Sequence, residues 1–150
     1  PVLAVLLVAI VAAFLLYRTV FGRHVIAVGS NEEVARYSGI SVDRVKLWTY
    51  VIQGVCVGIA ITLYVPRLGS ANSATGLFWE LQAITAVVIG GTLLKGGTGR
   101  IAGTVAGAFL LEIIGNILTL SNVNVYLIGA VQGTIIIIAM LVQRSLMRKS

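Results

Sequence analysis

Residues 101–120 read IAGTVAGAFLLEIIGNILTL, an apolar run in which Glu112 is the only ionisable side chain. A helix rises 1.5 Å per residue, so about 20 residues are needed to cross a hydrocarbon core of about 30 Å. This run has that length. It therefore predicts a membrane-spanning helix.

Further apolar runs lie on both sides of this one. The chain is 58% hydrophobic and only 11% charged, whereas charged residues make up about 25% of soluble domains. We therefore predict an all-α fold, a polytopic transmembrane helical bundle that forms one domain over residues 1–150. The other runs are Pro1–Tyr17, Val45–Val65 and Tyr126–Val142, with a shorter run, Leu81–Leu94, that ends in glycines.

The positions of the 11 Lys and Arg residues orient the bundle. Cytoplasmic loops of membrane proteins carry an excess of these residues. If loop 18–44 is cytoplasmic and all five runs cross, only Arg67 lies outside; the bias disappears if residues 81–94 merely re-enter. We therefore predict about five crossings, with the C-terminus in the cytoplasm. The basic residues form no stripe with interleaved aromatics, which argues against nucleic-acid binding.

Three pairs of glycines spaced four residues apart lie inside the runs. In lipid such pairs let helix backbones approach closely. They predict helix packing, and a role in helix movement stays open. The pairs are Gly54 with Gly58, Gly103 with Gly107, and Gly129 with Gly133.

The loop segment RHVIAVGSNEEVARYSGISVDR, residues 23–44, predicts a short helix with both ends marked. Ser30 and Glu33 have the spacing of a capping box, and Asn31 is a competing N-cap. Gly39 predicts the C-terminal stop. A capped helix therefore lies across the cytoplasmic face of the predicted bundle.

This short helix carries apolar as well as charged residues. Val34, Ala35 and Tyr37 stand among its charges, and Ser41 can cap the next helix, which leads into the membrane. Such a surface is suited to docking against another protein. The alternative is a helix that lies on lipid headgroups.

Two blocks of the sequence resemble a known family. Residues 27–60, AVGSNEEVARYSGISVDRVKLWTYVIQGVCVGIA, are similar to the cytoplasmic loop and following helix of permease subunits of the ribose, xylose and arabinose group of ABC importers. Residues 86–118, AVVIGGTLLKGGTGRIAGTVAGAFLLEIIGNIL, resemble the glycine-rich segment of the same family. The resemblance runs from about Phe21 to the end of the chain.

The resemblance implies a subunit of the bacterial inner membrane that imports a monosaccharide. By the same resemblance it would pair with a second permease copy, identical or a paralogue, and with two ATP-binding cassette subunits. A periplasmic solute-binding protein would deliver the sugar. ATP and Mg would be bound by the partner ATPase, so the resemblance implies that the chain binds no cofactor and is no enzyme. Permeases of the family are longer, which implies that this chain is a C-terminal part. The helix of loop 18–44 would enter a groove of the ATPase and couple the two through Glu32, Glu33, Ala35, Arg36, Gly39 and Val42.

The segment GGTLLKGGTGR, residues 90–100, is not a phosphate-binding P-loop. A P-loop requires a lysine after its second glycine and a Ser or Thr next to that lysine, whereas Lys95 precedes Gly96. The glycines can instead break a helix and let backbones approach. We expect a packing element or a gate, built from Gly90, Gly91, Gly96, Gly97 and Gly99.

Polar residues suggest two further sites. Glu112 and Asn116 lie one turn apart in a membrane helix, where polar groups line a solute path or make interhelical hydrogen bonds. In the predicted external stretch 66–80, aromatic side chains serve as interface anchors or as contacts to the binding protein. The docking candidates there are Arg67, Asn72, Trp79 and Glu80.

Other functions stay open at this point. A branched-chain amino acid ABC permease has similar glycine-rich segments, an ion-coupled secondary transporter would use Glu112, and a membrane scaffold would transport nothing. His24 and Cys56 are the only residues of their kinds, so neither suggests a catalytic or metal-binding set.

Overall fold

The computed structural model describes residues 2–149, which form seven α-helices. The predicted all-α class is confirmed. Pro1, where the first apolar run begins, lies outside the described residues. The helices are α1 (Val2–Arg18), α2 (Val20–Ser30), α3 (Glu32–Tyr37), α4 (Val42–Leu68), α5 (Trp79–Ile89), α6 (Ile101–Leu120) and α7 (Val125–Arg148).

Three of the described helices are long and apolar enough to cross a membrane: α4, α6 and α7. The pair α1 and α2 makes a fourth candidate if its two helices are counted as one bent span. Helix α5 has 11 residues, or about 16 Å of rise, less than the hydrocarbon thickness of about 30 Å. A fifth crossing over residues 81–94 therefore stays a prediction.

A bend of 73° separates α1 from α2. Thr19 has extended backbone angles and accepts a hydrogen bond from the Gly22 amide at 3.2 Å, so it caps α2. Gly22 is buried, and a Cβ there would lie 2.1 Å from the carbonyl oxygen of Leu16. Only glycine allows α2 to fold so closely against the end of α1. The first part of loop 18–44 is therefore helical.

The described residues divide into two compact units. The first comprises the chain up to Thr75 together with Lys95–Thr98, and contains α1 to α4. Its buried apolar side chains are Ala35, Val42 and Val45. Because most of α4 is exposed and apolar, this helix needs a lipid or protein environment around it.

The second unit comprises Gly76–Leu94 and the chain from Gly99 onward, and contains α5 to α7. Helix α5 packs against both α6 and α7. The buried residues lie mainly on the contact faces of α5 and α6. They are Thr85, Ala86, Val88, Gly107, Leu111 and Gln132.

One of the three predicted glycine pairs makes a close helix contact in the described residues. A Cβ on Gly107 would lie 2.4 Å from the Ala86 carbonyl oxygen, and Gly103 is packed as closely against the end of α5. The packing prediction is confirmed for this pair. A Cβ on any member of the other two pairs would meet nothing within 4 Å in the part of the chain that the structure describes.

Candidate functional site

The short helix α3 begins one residue later than the capping box predicts. Asn31 is the N-cap, and its Oδ1 accepts a hydrogen bond from the Val34 amide at 3.1 Å. Ser30 is still the last residue of α2, and its hydroxyl donates to the Ile26 carbonyl at 3.0 Å. Ser30 therefore cannot cap α3, and the Ser30–Glu33 capping box is wrong, while the competing cap Asn31 is confirmed.

The C-terminal end of α3 is a Schellman motif. Gly39 has φ 84°, and its amide donates to the Arg36 carbonyl at 3.2 Å. The Ile40 amide donates to the Ala35 carbonyl at 3.1 Å. The stop predicted at Gly39 is confirmed, because only the left-handed conformation lets both amides turn back toward the last turn.

Ion pairs join α3 to the start of α4. The Lys46 ammonium lies 2.9 Å from a Glu32 carboxylate oxygen, and the Arg36 guanidinium lies 3.6 Å from Glu32 and 3.8 Å from Asp43. The hydrogen bond from Lys46 is the main cause that holds the pKa of Glu32 below its ordinary value. The network is solvent-exposed, so its contribution weakens with salt. These ion pairs connect α3 with the first turns of α4.

The residues predicted to couple this loop to an ATPase fall into two groups. Ala35 and Val42 are each only 3% exposed, so they hold α3 against its own unit. Glu33 is exposed, and the neighbouring apolar side chains of Val34 and Tyr37 are 57% and 90% exposed. Glu32, Arg36 and Gly39 are also exposed, but Glu32 and Arg36 take part in the ion pairs with α4. The exposed side chains of α3 outside that network are Glu33, Val34 and Tyr37. Tyr37 was absent from the predicted coupling set, although its place in the apolar part of the helix was a signal.

The five predicted glycines are divided between the two units. Gly96 and Gly97, both with positive φ, lie in the first unit against Gly29 at the end of α2. Gly90, Gly91 and Gly99 lie in the second unit. A gating role for these five residues stays a prediction.

Gln143 on α7 is a functional candidate that sequence reasoning missed. Its side-chain amide donates to the carbonyl oxygens of Thr92 at 3.0 Å and Val88 at 3.3 Å. Val88 lies in the last turn of α5, which ends at Ile89, and Thr92 follows Gly91, whose φ is 86°. The signal available in the sequence was a polar amide placed directly after the apolar run 126–142. Gln143 thus ties α7 to the beginning of the glycine-rich segment.

The remaining predicted site residues are exposed. Glu112 and Asn116 lie one turn apart on α6. Arg67 and Asn72 belong to the first unit, where Asn72 closes a turn by accepting a hydrogen bond from the Thr75 amide at 2.9 Å through its carbonyl. Trp79 and Glu80 begin α5 in the second unit. Their predicted solute-path and docking roles stay predictions. No group of three His, Cys, Asp or Glu side chains that could hold a metal occurs in residues 2–149.

Comparison with known proteins places the chain among transport permeases. The model of the family described as "Branched-chain amino acid transport system / permease component" matches residues 2–140. The xylose transport system permease protein XylH of Escherichia coli is 40% identical over all 150 residues, which cover 38% of that protein. The ribose import permease proteins RbsC of Bacillus subtilis and Escherichia coli are 40% and 41% identical; the matches cover 96% and 95% of this chain and 45% and 44% of those proteins.

The chain spans less than half the length of these curated relatives. No solved structure gives a significant match. The resemblance seen in the two sequence blocks is confirmed.

Proposed function

The chain belongs to the family of branched-chain amino acid transport system permease components, and from this premise we propose that it is part of a permease that imports a monosaccharide. The family description names amino acids, but the relatives that are about 40% identical are named for xylose and ribose. This likeness favours a sugar over an amino acid. The import would be driven by ATP and occur in the bacterial inner membrane.

The observation that supports this function most directly is the construction of α3. This helix of six residues is capped by Asn31, stopped at Gly39 and joined by ion pairs to the start of α4, a candidate membrane span. A short segment held at both ends moves as a rigid body with the helix that it adjoins. It is therefore suited to carry a movement from a cytoplasmic partner into the membrane.

The partner of α3 would be an ATP-binding cassette subunit with a groove of matching chemistry. Tyr37, the aromatic residue of α3, is 90% exposed and would enter an apolar pocket of that groove. Glu33 is exposed beside it and would face a cationic side chain. Ala35 and Val42, which are buried, would position the helix and not contact the partner.

The rest of the mechanism follows from the orientation that the basic residues favour. With α3 and the C-terminus on the cytoplasmic side, nucleotide-driven closure of the ATPases would rock two permease copies between outward-open and inward-open states. The sugar, delivered by a periplasmic binding protein that docks near Arg67, Asn72, Trp79 and Glu80, would pass the polar pair Glu112 and Asn116. The chain performs no bond chemistry, and ATP and Mg are bound by the partner.

The test is sugar uptake by the full-length permease reconstituted with its ATPase and binding protein. We compare wild type with Tyr37→Ala and Glu33→Arg, and use Tyr126→Ala as the control, since Tyr126 is 84% exposed on a different helix. Both α3 variants are expected to insert normally but to lose ATPase association and uptake, while the control keeps both. Uptake that persists without the ATPase, and that follows an ion gradient, would reject the proposal in favour of ion-coupled transport through Glu112.

A further inference from the structure

The glycine-rich segment after α5 makes a backbone contact with the end of α2. A Cβ on Gly29 would lie 2.7 Å from the Gly97 nitrogen, and a Cβ on Gly96 would lie 2.6 Å from the Gly29 carbonyl oxygen. A Cβ on Gly97 would lie 2.7 Å from the Ser30 hydroxyl oxygen. At Gly29 and Gly96 the atoms that a Cβ would meet belong to the backbone and cannot rotate away, so these two glycines are required for this contact.

The contact lies next to the residue that joins α2 to α3. Asn31 alone separates the two helices, since α2 ends at Ser30 and α3 begins at Glu32. The Asn31 amide donates to the Ala27 carbonyl at 3.1 Å, and its side chain caps α3. The last turn of α2 therefore sets where α3 begins and in which direction it points.

Helix propensity offers no reason for glycine at position 29. Gly29 lies inside α2 and has no positive φ, and alanine is the better helix former at such a position. The absence of a side chain is needed only for the approach of Gly96 and Gly97. Their own positive φ values, 95° and 88°, direct the segment against α2.

We propose that Gly96 and Gly97 form a backbone brace on the last turn of α2, and that Gly29, which receives the brace, is a positioning residue for α3. This inference rests on the proposed coupling function of α3. A Cβ at position 29 would push the brace away from α2 and leave α3 free to tilt. Movement of a bound ATPase would then be transmitted incompletely, and ATP would be hydrolysed without import.

The test uses the full-length permease with its ATPase and binding protein in vesicles. Gly29→Ala is compared with Gly58→Ala, because Gly58 is also helical and a Cβ there meets nothing within 4 Å among the described residues. The readouts are the number of sugar molecules imported per ATP hydrolysed, ATPase association, and thermal unfolding of the permease in detergent. We expect Gly29→Ala to lower import per ATP several-fold with unchanged unfolding, and Gly58→Ala to change neither.

A second pair of variants tests the brace in case Gly29→Ala fails to fold. Gly96→Ala places a side chain in the brace, whereas Gly69→Ala places a side chain at another positive φ (67°) in open space. A several-fold loss of import per ATP in Gly96→Ala but not in Gly69→Ala supports the brace even if Gly29→Ala does not accumulate. If neither brace variant accumulates while both controls do, the contact serves folding and the inference is wrong.

Coupling that is unchanged in Gly29→Ala also overturns the brace. The variant Glu33→Arg then separates the two hypotheses. If Glu33→Arg still abolishes ATPase association, the proposed function stands without the brace. If Glu33→Arg has no effect and uptake needs no ATPase, the proposed function itself is wrong.

Discussion

The backbone of Gly103 on α6 lies directly against the carbonyl group of Gly90 at the end of α5: a Cβ on Gly103 would be only 2.0 Å from the Gly90 oxygen. In lipid, helices associate through van der Waals contact and not through expulsion of water. Van der Waals contact is most extensive where two helix backbones approach each other directly. Gly90 and Gly103 therefore determine how closely α5 and α6 pack.

The variant Gly103→Ala should weaken the packing of α5 on α6. A methyl group has no room there, and overpacking costs about 1–3 kcal/mol of unfolding free energy. The measurement is denaturant unfolding of the full-length permease in detergent micelles. Gly115→Ala on the same helix is the control, because a Cβ there meets nothing within 4 Å in the described residues. Equal stability of the two variants would contradict the packing role.

The variant Gln143→Leu should loosen the C-terminal end of α5. It keeps most of the side-chain volume but removes the donor to the Val88 and Thr92 carbonyls, and a lost hydrogen bond costs about 1 kcal/mol. Hydrogen exchange of the α5 amides should become faster. The control Gln53→Leu, at an exposed position of α4, should leave the exchange rate of the α5 amides unchanged. Slower or equal exchange in Gln143→Leu would refute this role.

The variant Asn31→Ala should destabilise α3, whereas Ser30→Ala should have little effect. Removing an N-cap side chain costs about 1 kcal/mol, and only Asn31 caps this helix. Hydrogen exchange of the Val34 amide, which donates to the Asn31 side chain, reports directly whether the cap is formed. If Ser30→Ala had the larger effect, the capping box excluded by the structure would be restored.

Order in α3 should depend on pH through Glu32. Because the folded pKa of Glu32 is held below its ordinary value, mainly by the hydrogen bond from Lys46, the carboxylate stabilises α3 above the pKa of an unperturbed glutamate, about 4.3. This stabilisation is lost as the pH falls through the lower folded pKa. A spin label introduced by Val34→Cys in a Cys56→Ala background should become more mobile over that range.

Glu32→Gln in the same labelled background is the matched variant for this pH dependence. It removes the charge at every pH, so the label should be mobile at neutral pH and should change little on acidification. A transition in Glu32→Gln that equals that of the parent would assign the pH dependence to another group.

The variant Asn122→Gly should keep or raise stability, whereas Asn122→Val should lower it. Asn122 has φ 55° and closes a Schellman motif after α6, with the Val123 amide donating to the Leu118 carbonyl at 3.2 Å. The left-handed conformation costs about 1–2 kcal/mol for residues other than glycine, and asparagine tolerates it better than a β-branched residue. Thermal unfolding temperatures rank the stability of the parent and the two variants. A valine variant as stable as the parent would contradict this interpretation.

The features that sequence predicted best are those set by nearby residues. The run 101–120 coincides with α6 at both ends, because the length of an apolar run is a local property. The end of α3 was predicted at Gly39 for the same reason. For the start of α3 the sequence offers two N-caps, Ser30 and Asn31, which are both good capping residues. Only the extent of α2 decides between them.

Contacts between residues that are distant in the chain could not be predicted from the sequence. No local pattern shows that Gln143 reaches the end of α5, or that Gly96 lies against Gly29. Nor could the sequence predict which side chains of α3 are exposed. Burial of Ala35 and exposure of Tyr37 depend on the neighbouring helices.

The sequence by itself determined the class of this protein, a helical membrane permease, because lipid requires long apolar helices and the two blocks carry the family resemblance. It also determined that a capped helix precedes α4. Tertiary structure decided which glycines are contacts: Gly90, Gly96 and Gly103 touch other backbones, while Gly54 and Gly58 meet none among residues 2–149. The physical reason is that a glycine has the same chemistry everywhere, and only the approach of a second backbone makes the missing Cβ essential.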